Sequence, residues 1–264
     1  GHNLVVVDEE NQRGRFSGRV SPAERDSVDG LSYNPNVYGH GDARNFGNLR
    51  LWDPTQPQIQ VVEAEGENGY GRDRTPLYRR TLAMVEIEGP AFYLIDVFRV
   101  RGGHTHDWML HGRLNEDYGF ETSLQLSATT GTRHGYLQLT HTARTDESWW
   151  SEFLGHTGAR IRTTMVGVPG TEITVGRAPA MRREGEATFV DVRRKGGESV
   201  FVAVHEPYRD LPRVIDVADV DCGEDGWAAC LRIELTGGRI DYFASTLDSL
   251  PYPRRELAGE GVAM

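Results

Sequence analysis

The segment Leu231-Arg232-Ile233-Glu234-Leu235 alternates apolar and charged residues with a period of two. This period places every apolar side chain on one face of a β-strand. The same alternation recurs in Val85-Glu86-Ile87-Glu88, Leu124-Gln125-Leu126, Tyr136-Leu137-Gln138-Leu139 and Ile173-Thr174-Val175. Unbroken apolar runs, Val5 to Val7 and Phe201 to Val204, are typical of strands buried on both faces. No long helical period competes with these patterns, so the sequence predicts an all-β fold.

Glycine-containing turn signals separate the apolar segments. They are Asn68-Gly69, Gly102-Gly103, Gly196-Gly197 and Gly237-Gly238. The pair Gly102-Gly103 predicts a hairpin that leads into His104. No linker is apparent between the strands, so we expect one domain over residues 1–264. The predicted architecture is a large two-layer antiparallel β-sandwich, of the supersandwich kind, with a few short helices.

Helical signals in the sequence are short and local. Ser21-Pro22-Ala23-Glu24 has the form of a capping box with proline at the first helical position. Thr145 to Leu154 is expected to form a second brief helix. Residues 9–58 are the least strand-like stretch, rich in Gly, Asn, Asp, Arg and Pro. In a β-scaffold such a segment is a functional loop or an edge covering.

Length and charge exclude several classes of protein. The chain has 264 residues and a formal net charge of −10. A general nucleic-acid binder is excluded because phosphate neutralisation needs a basic face. The longest apolar run is strand-sized, well short of the ~20 residues that a membrane-spanning helix needs.

A motif at the start of the chain carries a family resemblance. His2-Asn3 is followed by an apolar run, Asp8 and Gln12. This pattern resembles the signature of heparinase II/III-type polysaccharide lyases. Later segments agree with that family in order: Val61 to Ala64, Tyr78 to Arg80, Tyr93 to Phe98, His106 to Gly112, and Phe201 to Tyr208. The resemblance covers essentially the whole chain, as the carboxy-terminal β-sandwich of the family.

The resemblance implies β-elimination on uronic-acid-containing polysaccharides. In the family, the catalytic residues lie on an amino-terminal α/α toroid and in a His-x-His motif early in the β-domain. A zinc-type metal is bound by the second histidine of that motif, an aspartate after it, and the histidine of the His-Asn run. Only His2 has a counterpart in this sequence, as a metal ligand, and no catalytic residue is assigned.

The chain begins without methionine in a strand-like run, which we interpret as part of a longer polypeptide. The toroid would then lie upstream of Gly1 and be a partner within the same protein, with acidic polysaccharide as the other partner. We expect zinc or a similar divalent metal in the full-length protein and none bound stoichiometrically by this chain. The expected location is the periplasm or outside the cell, and this chain alone is expected to be inactive.

Other residues offer weaker signals for a site. His104 and His106 lie two apart on a strand, which suits metal chelation, although exposed strand histidines are the commoner case. The loop from Tyr33 to Asn45 could contact sugar through Tyr33, Tyr38, His40 and Arg44. Its alternative is a glycine-rich surface loop.

Pairs of adjacent aromatic or basic residues also suit a sugar-binding surface. Trp149-Trp150 suits a sugar platform, although paired aromatics more often divide between core and rim. Arg182-Arg183 and Arg193-Arg194-Lys195 suit an anionic-glycan patch or a solvated charged face. The segment His205-Glu206-Pro207-Tyr208 is interpreted as structural.

The two cysteines leave two alternatives open. If Glu224-Asp225 are the two residues of a tight turn, Cys222 lies opposite Trp227 and not Cys230. A looser turn would allow a Cys222–Cys230 bridge.

Three functions therefore remain. The first is the β-sandwich portion of a lyase, the second a non-catalytic carbohydrate-binding module, and the third a purely structural module that supports a partner toroid.

Overall fold

The computed structural model describes residues 3–12, 47–66, 69–112, 119–155, 157–179, 185–223 and 226–247. Within these ranges the chain forms eighteen strands, a short 3-10 turn at Thr236–Gly238, and no α-helix. In chain order the strands are β1 (Val5–Val7), β2 (Asn48–Gln56), β3 (Ile59–Glu65), β4 (Leu77–Glu88), β5 (Ala91–Arg101), β6 (Thr105–His111), β7 (Gly119–Thr122), β8 (Ser127–Ala128), β9 (Thr132–Arg133), β10 (Leu137–Thr145), β11 (Trp149–Leu154), β12 (Arg160–Met165), β13 (Thr171–Pro179), β14 (Glu186–Lys195), β15 (Glu198–Tyr208), β16 (Val214–Asp219), β17 (Ala229–Leu235) and β18 (Ile240–Ser245). The all-β prediction is confirmed.

The strands form three antiparallel sheets. Sheet A has the order β1-β6-β14-β13-β10-β8, with β9 paired to β10. Sheet B has the order β2-β3-β4-β5-β15-β12-β11-β7, and sheet C is β16-β17-β18. Sheets A and B are the two layers of the predicted sandwich, and sheet C adds a third layer.

Sheets A and B enclose the first of two main apolar cores. Along β5, Phe98 and Val100 point into this core while Val97 points to the opposite face, as a period of two requires. Sheet A contributes Val5, Val7, Trp108, Leu110, Ile173, Val190 and Val192, and sheet B contributes Tyr78, Phe98, Val100, Trp149, Phe153, Met165, Phe201 and Ala203.

Sheet C covers the other face of sheet B. Its Leu231 and Ile233 pack in a second core with Val97. Strand β15 is therefore buried on both sides, and all four residues from Phe201 to Val204 are buried. This double burial is the reason why the run is apolar without alternation.

The hairpin predicted at Gly102-Gly103 is wrong. This pair joins β5 in sheet B to β6 in sheet A, so the chain crosses between the layers. Gly196-Gly197 makes a second crossing, from β14 to β15, and the amide of Gly102 donates to the carbonyl of Gly197 at 2.8 Å. At Gly102 φ is +103°, and a Cβ would lie 2.0 Å from the carbonyl oxygen of Arg74. Only glycine fits so close an approach.

The short helix predicted over Thr145 to Leu154 is also wrong. Thr145 ends β10, and Trp149–Leu154 is β11, paired on both sides by β12 and β7. Trp149 and Phe153 lie on one face of β11 and join the core between sheets A and B. Pairing with two strands and burial of these rings outweigh the weak local helical preference.

In the part of the chain that the structure describes, no helix is long and apolar enough to cross a membrane.

The stretch 9–58 is described only in part. Its final portion forms β2, an edge strand of sheet B, so the loop interpretation is wrong there. Leu49, Leu51 and Trp52 on β2 are largely exposed, which explains why the sequence shows no burial pattern. The capping-box segment from Ser21 to Glu24 lies outside the described residues.

Cys222 and Cys230 form a disulfide bond, with their Cα atoms 5.7 Å apart. The amide of Val220 donates to the carbonyl of Cys230 at 2.9 Å, so the loop between these residues is wider than a two-residue turn. The looser turn, one of the two alternatives left open by the sequence, is the one present.

We predict that Gly102→Ala lowers the free energy of unfolding by about 2–4 kcal/mol, because the added Cβ meets the Arg74 carbonyl at a strained φ. Gly237→Ala is the matched control, since Gly237 has φ +84° and no atom within 4 Å of its added Cβ. It should cost about 1–2 kcal/mol. Urea unfolding measures both, and equal losses would contradict the close approach.

Candidate functional site

The start of β1 is held by hydrogen bonds from both layers of the sandwich. Asn3 Oδ1 accepts from the amide of His111 at 3.0 Å, and Arg80 Nη1 donates to the Asn3 carbonyl at 2.8 Å. The Tyr78 hydroxyl donates to the carbonyl of Val5 at 2.6 Å. Because β1 is a short edge strand with β6 as its one neighbour in sheet A, these bonds fix the backbone next to His2.

The Arg80 side chain, which holds the Asn3 carbonyl, also contacts Asp96 in the space between sheets A and B. Its Nε and Nη2 donate to both oxygens of Asp96 at 2.8 and 2.7 Å. His205 Nε2 lies 3.5 Å from Asp96 Oδ2, and His205 Nδ1 lies 2.8 Å from Thr163 Oγ1. Trp108 of sheet A stacks on the His205 ring at 6.2 Å.

Asp96 is ionised although it is buried. Burial raises the pKa of Asp96, but the positive charge of Arg80 and hydrogen bonds from His205 and Arg80 outweigh this effect and lower the pKa to about 2. The Asp96 carboxylate therefore keeps its contacts with Arg80 and His205 across the neutral pH range.

We call Asn3, Arg80, Asp96, His111 and His205 the Asn3–His205 network. All five belong to the segments that carry the family resemblance. Sequence reasoning assigned no role to Arg80 or Asp96. Their signal was a charged residue at an inward position of an otherwise apolar strand, which calls for a partner of opposite charge.

The remaining motif residues hold the turn that follows β1. Asp8 Oδ1 accepts from the amides of His104 and Thr105 at 2.7 and 2.9 Å. Gln12 Nε2 donates to the Tyr78 hydroxyl at 3.3 Å. Burial raises the pKa of Tyr78, so this phenol stays protonated and acts as a donor, not as a base.

The sequence-predicted site residues lie mostly outside the described ranges. These are His2, Tyr33, Tyr38, His40 and Arg44, together with the pair Arg182-Arg183. Their roles stay predictions.

His104 and His106 do not form a chelating pair. His104 is exposed as expected, but His106 is fully buried, which corrects the expectation of two exposed histidines. His106 Nδ1 contacts Ser199 Oγ at 2.7 Å and Nε2 contacts the Gly102 carbonyl at 2.7 Å. With both ring nitrogens engaged, His106 supports the crossing between the layers.

Trp149 and Trp150 divide between core and rim, which confirms that interpretation. Trp149 is buried, and Trp150 is half-buried beneath the Arg162 guanidinium at 4.4 Å. Arg194 is neither solvated nor part of a surface patch. It is buried over the Phe201 ring at 4.4 Å and donates to the carbonyl of Val200 at 2.6 Å.

A second polar cluster lies on the outer face of sheet A. It consists of Asp107 on β6, Asp191 on β14 and His134 in the turn between β9 and β10. One ligand atom from each residue lies within 4.8 Å of the others, so the three could hold a metal ion. We call Asp107, His134 and Asp191 the outer-face cluster. Sequence reasoning missed it because the three residues are far apart in the chain.

Two arginines adjoin the outer-face cluster. Arg193 Nε and Nη2 donate to Asp107 at 2.6 and 2.7 Å, and Arg133 Nη1 donates to Asp191 Oδ2 at 2.6 Å. Burial raises the pKa of Asp107, and the Arg193 hydrogen bond offsets this effect only in part. Arg193 and Arg133 therefore orient the carboxylates of Asp107 and Asp191. His134 lies beside these carboxylates, and no guanidinium among the described residues hydrogen-bonds to its ring.

Comparison with family models finds no match, and comparison with curated proteins finds none either. Among solved structures, the chain is similar to a crystal structure of heparinase III, with 13% identity, 93% of this chain and 29% of that chain covered, and a TM-score of 0.49. It is also similar to heparan sulfate lyase HepC from Pedobacter heparinus, with 10% identity, 78% and 28% coverage, and a TM-score of 0.47. The chain spans about three tenths of the length of these structures.

We predict that Asp96→Asn lowers the free energy of unfolding by about 3–5 kcal/mol at pH 7, because it leaves the Arg80 charge without its partner. The pKa of Asp96 is lower in the folded state than its ordinary 3.8. Its stabilisation is therefore complete above about pH 4 and is lost as the pH falls through about 2. The difference between the wild type and the variant should narrow over this range.

Asp216→Asn provides the control, since Asp216 is exposed and 3.9 Å from Arg232. It should change stability by less than about 0.5 kcal/mol. Urea unfolding between pH 2 and pH 7 measures both variants. A loss at Asp96 no larger than that at Asp216 would contradict the buried ion pair.

Proposed function

We propose that this chain is the β-sandwich portion of a polysaccharide lyase that cleaves uronic-acid-containing polysaccharides by β-elimination. One observation carries the proposal. The Asn3–His205 network joins residues from five separate segments of the family resemblance, and it converges on the residue that follows His2. A chance resemblance would have no reason to place these five residues in one chain of hydrogen bonds.

β-Elimination needs neutralisation of the uronate carboxylate, a base for the C5 proton and an acid for the leaving O4. Tyr78 is buried and protonated, and both ring nitrogens of His106 and of His205 have polar neighbours. We therefore give these residues a positioning role. The base and the acid are assigned to an α/α toroid elsewhere in the full protein.

His2 is the residue of this chain that we assign to a metal site, with a histidine and an aspartate from outside this sequence. A zinc ion held there would fix the His2 end of β1 relative to the toroid. Arg80 and His111 would support it by holding Asn3 on its carbonyl and its side chain. This chain supplies one ligand, and its described residues orient that ligand.

The proposed substrate is an acidic polysaccharide, and the toroid is the proposed partner within the same protein. We place the protein in the periplasm or outside the cell. The Cys222–Cys230 disulfide supports this location, because disulfide bonds persist in oxidising compartments.

A second candidate function is a non-catalytic carbohydrate-binding module. Trp52 on the edge strand β2 is 58% exposed and stands beside exposed Leu51. An exposed indole suits stacking on a sugar ring. If binding is the whole function, Trp52→Ala should abolish glycan binding, and no extension of the chain should produce cleavage.

We predict that the isolated chain cleaves none of heparin, heparan sulfate, alginate and chondroitin, whereas a longer protein that includes the toroid cleaves one of them. The absorbance of the unsaturated product measures cleavage. In the longer protein, His2→Ala should lower kcat/KM by at least about tenfold, because a metal ligand is lost.

His104→Ala is the matched control, since His104 is exposed and donates to Asp8 through its backbone amide. It should leave kcat/KM within about twofold. If the isolated chain cleaves one of these polysaccharides, and a substitution within the chain abolishes that cleavage, the positioning role is refuted.

A further inference from the structure

The outer-face cluster is built by neighbouring strands and one turn. Trp108 and Val190 point into the core between sheets A and B, so the adjacent Asp107 and Asp191 point to the opposite face. In the strand register, Asp191 lies opposite Met109, which places the two carboxylates diagonally across β6 and β14. His134 reaches them from the turn between β9 and β10.

The distances within the cluster suit a small divalent ion. His134 Nε2 is 3.5 Å from Asp107 Oδ2 and 3.8 Å from Asp191 Oδ2. In a tetrahedral zinc site with bonds of about 2.0–2.1 Å, ligand atoms stand about 3.3 Å apart. The two distances from His134 are close to this separation, and all three ligand atoms lie within 4.8 Å of one another, so small side-chain movements would bring them to it.

Unpaired buried atoms provide an independent observation. The His134 side chain is 3% exposed, and among the described residues neither of its ring nitrogens has a hydrogen-bond partner. Asp191 Oδ1 is buried and unpartnered in the same way. Buried polar atoms are normally satisfied, so an imidazole nitrogen with a lone pair and a carboxylate oxygen, both without hydrogen-bond partners, point to a shared ligand. A divalent cation satisfies both.

The neighbouring arginines leave lone pairs free for that ion. Asp191 Oδ2, which lies 3.8 Å from His134 Nε2, accepts from Arg133 with one lone pair and keeps a second, and Oδ1 has no hydrogen-bond partner among the described residues. Asp107 accepts from Arg193 on both oxygens, and each carboxylate oxygen carries a further lone pair. The guanidiniums therefore orient the carboxylates as hydrogen-bonding neighbours of a metal site commonly do.

The charge of the surroundings also favours a cation. Four carboxylates contact Arg133 and Arg193 in this region, those of Glu9, Asp107, Glu172 and Asp191. Four negative groups against two positive ones leave two negative charges. Arg144 also contacts Glu172, but it is exposed to solvent, where its charge is screened.

We propose that Asp107, His134 and Asp191 bind one divalent transition-metal ion of the zinc class. Imidazole nitrogen favours such an ion over calcium or magnesium, which prefer oxygen ligands alone. Bound there, the ion clamps the turn between β9 and β10 onto the outer face of sheet A. This site departs from the sequence-based expectation that the chain binds no stoichiometric metal, and it does not depend on the proposed lyase function.

The test uses the whole chain, stripped with a chelator and then titrated with Zn²⁺. We expect one equivalent to bind and, at saturation, to raise Tm by about 5 °C or more. His134→Gln and Asp191→Asn should each weaken binding by at least about tenfold and reduce the zinc-induced rise in Tm. His141→Ala is the control and should retain full binding, since His141 is exposed on β10.

X-ray absorption of the wild-type chain loaded with Co²⁺ gives a readout that does not depend on whether a variant folds. One imidazole per ion, with oxygen ligands completing the shell, is the expected result. Two or more imidazoles, or none, would overturn the proposal. So would the absence of binding, or binding that survives both His134→Gln and Asp191→Asn.

Discussion

The ion pair between Arg80 and Asp96 is the contact on which the start of the fold depends. It lies between the two large sheets, where Arg80 also reaches the Asn3 carbonyl and Asp96 reaches His205. A buried pair of this kind adds little net stability over apolar side chains, but losing one partner is costly. Its value is positional, because it determines where β1 begins relative to both layers, and any role of His2 depends on that position.

Sheets A and C pack on opposite faces of sheet B and have different roles. Sheet C buries one face of sheet B, and the Cys222–Cys230 bridge ties the connection between β16 and β17 to β17, so sheet C serves stability. On the outer face of sheet A, Asp107 and Asp191 are also buried, but the groups against them are polar: His134, Arg133 and Arg193. There the chain places charged and aromatic groups, which makes this face the part of the described fold that is chemically equipped for an ion.

The strands could be predicted from sequence because burial has a period. Phe201 to Val204 and Leu231 to Leu235 behave as their patterns indicate. Gly102-Gly103 predicted that the chain turns, but not which strands the turn connects. Turn residues specify the backbone angle φ, and they do not specify which sheets are joined. The outer-face cluster could not be predicted, because it depends on the register of Asp191 opposite Met109 and on His134 adopting a φ of +53°. Neither is visible in one sequence.

Amide hydrogen exchange in β1 measures directly whether the ion pair between Arg80 and Asp96 positions this strand. The measurement compares Val5 to Val7 in the wild type, in Arg80→Met and in Arg232→Met, where the half-exposed Arg232 of sheet C supplies the control. We expect exchange in β1 to become at least about tenfold faster in Arg80→Met and to stay unchanged in Arg232→Met. Equal protection of β1 in all three proteins would contradict the claim that Arg80 fixes the position of β1.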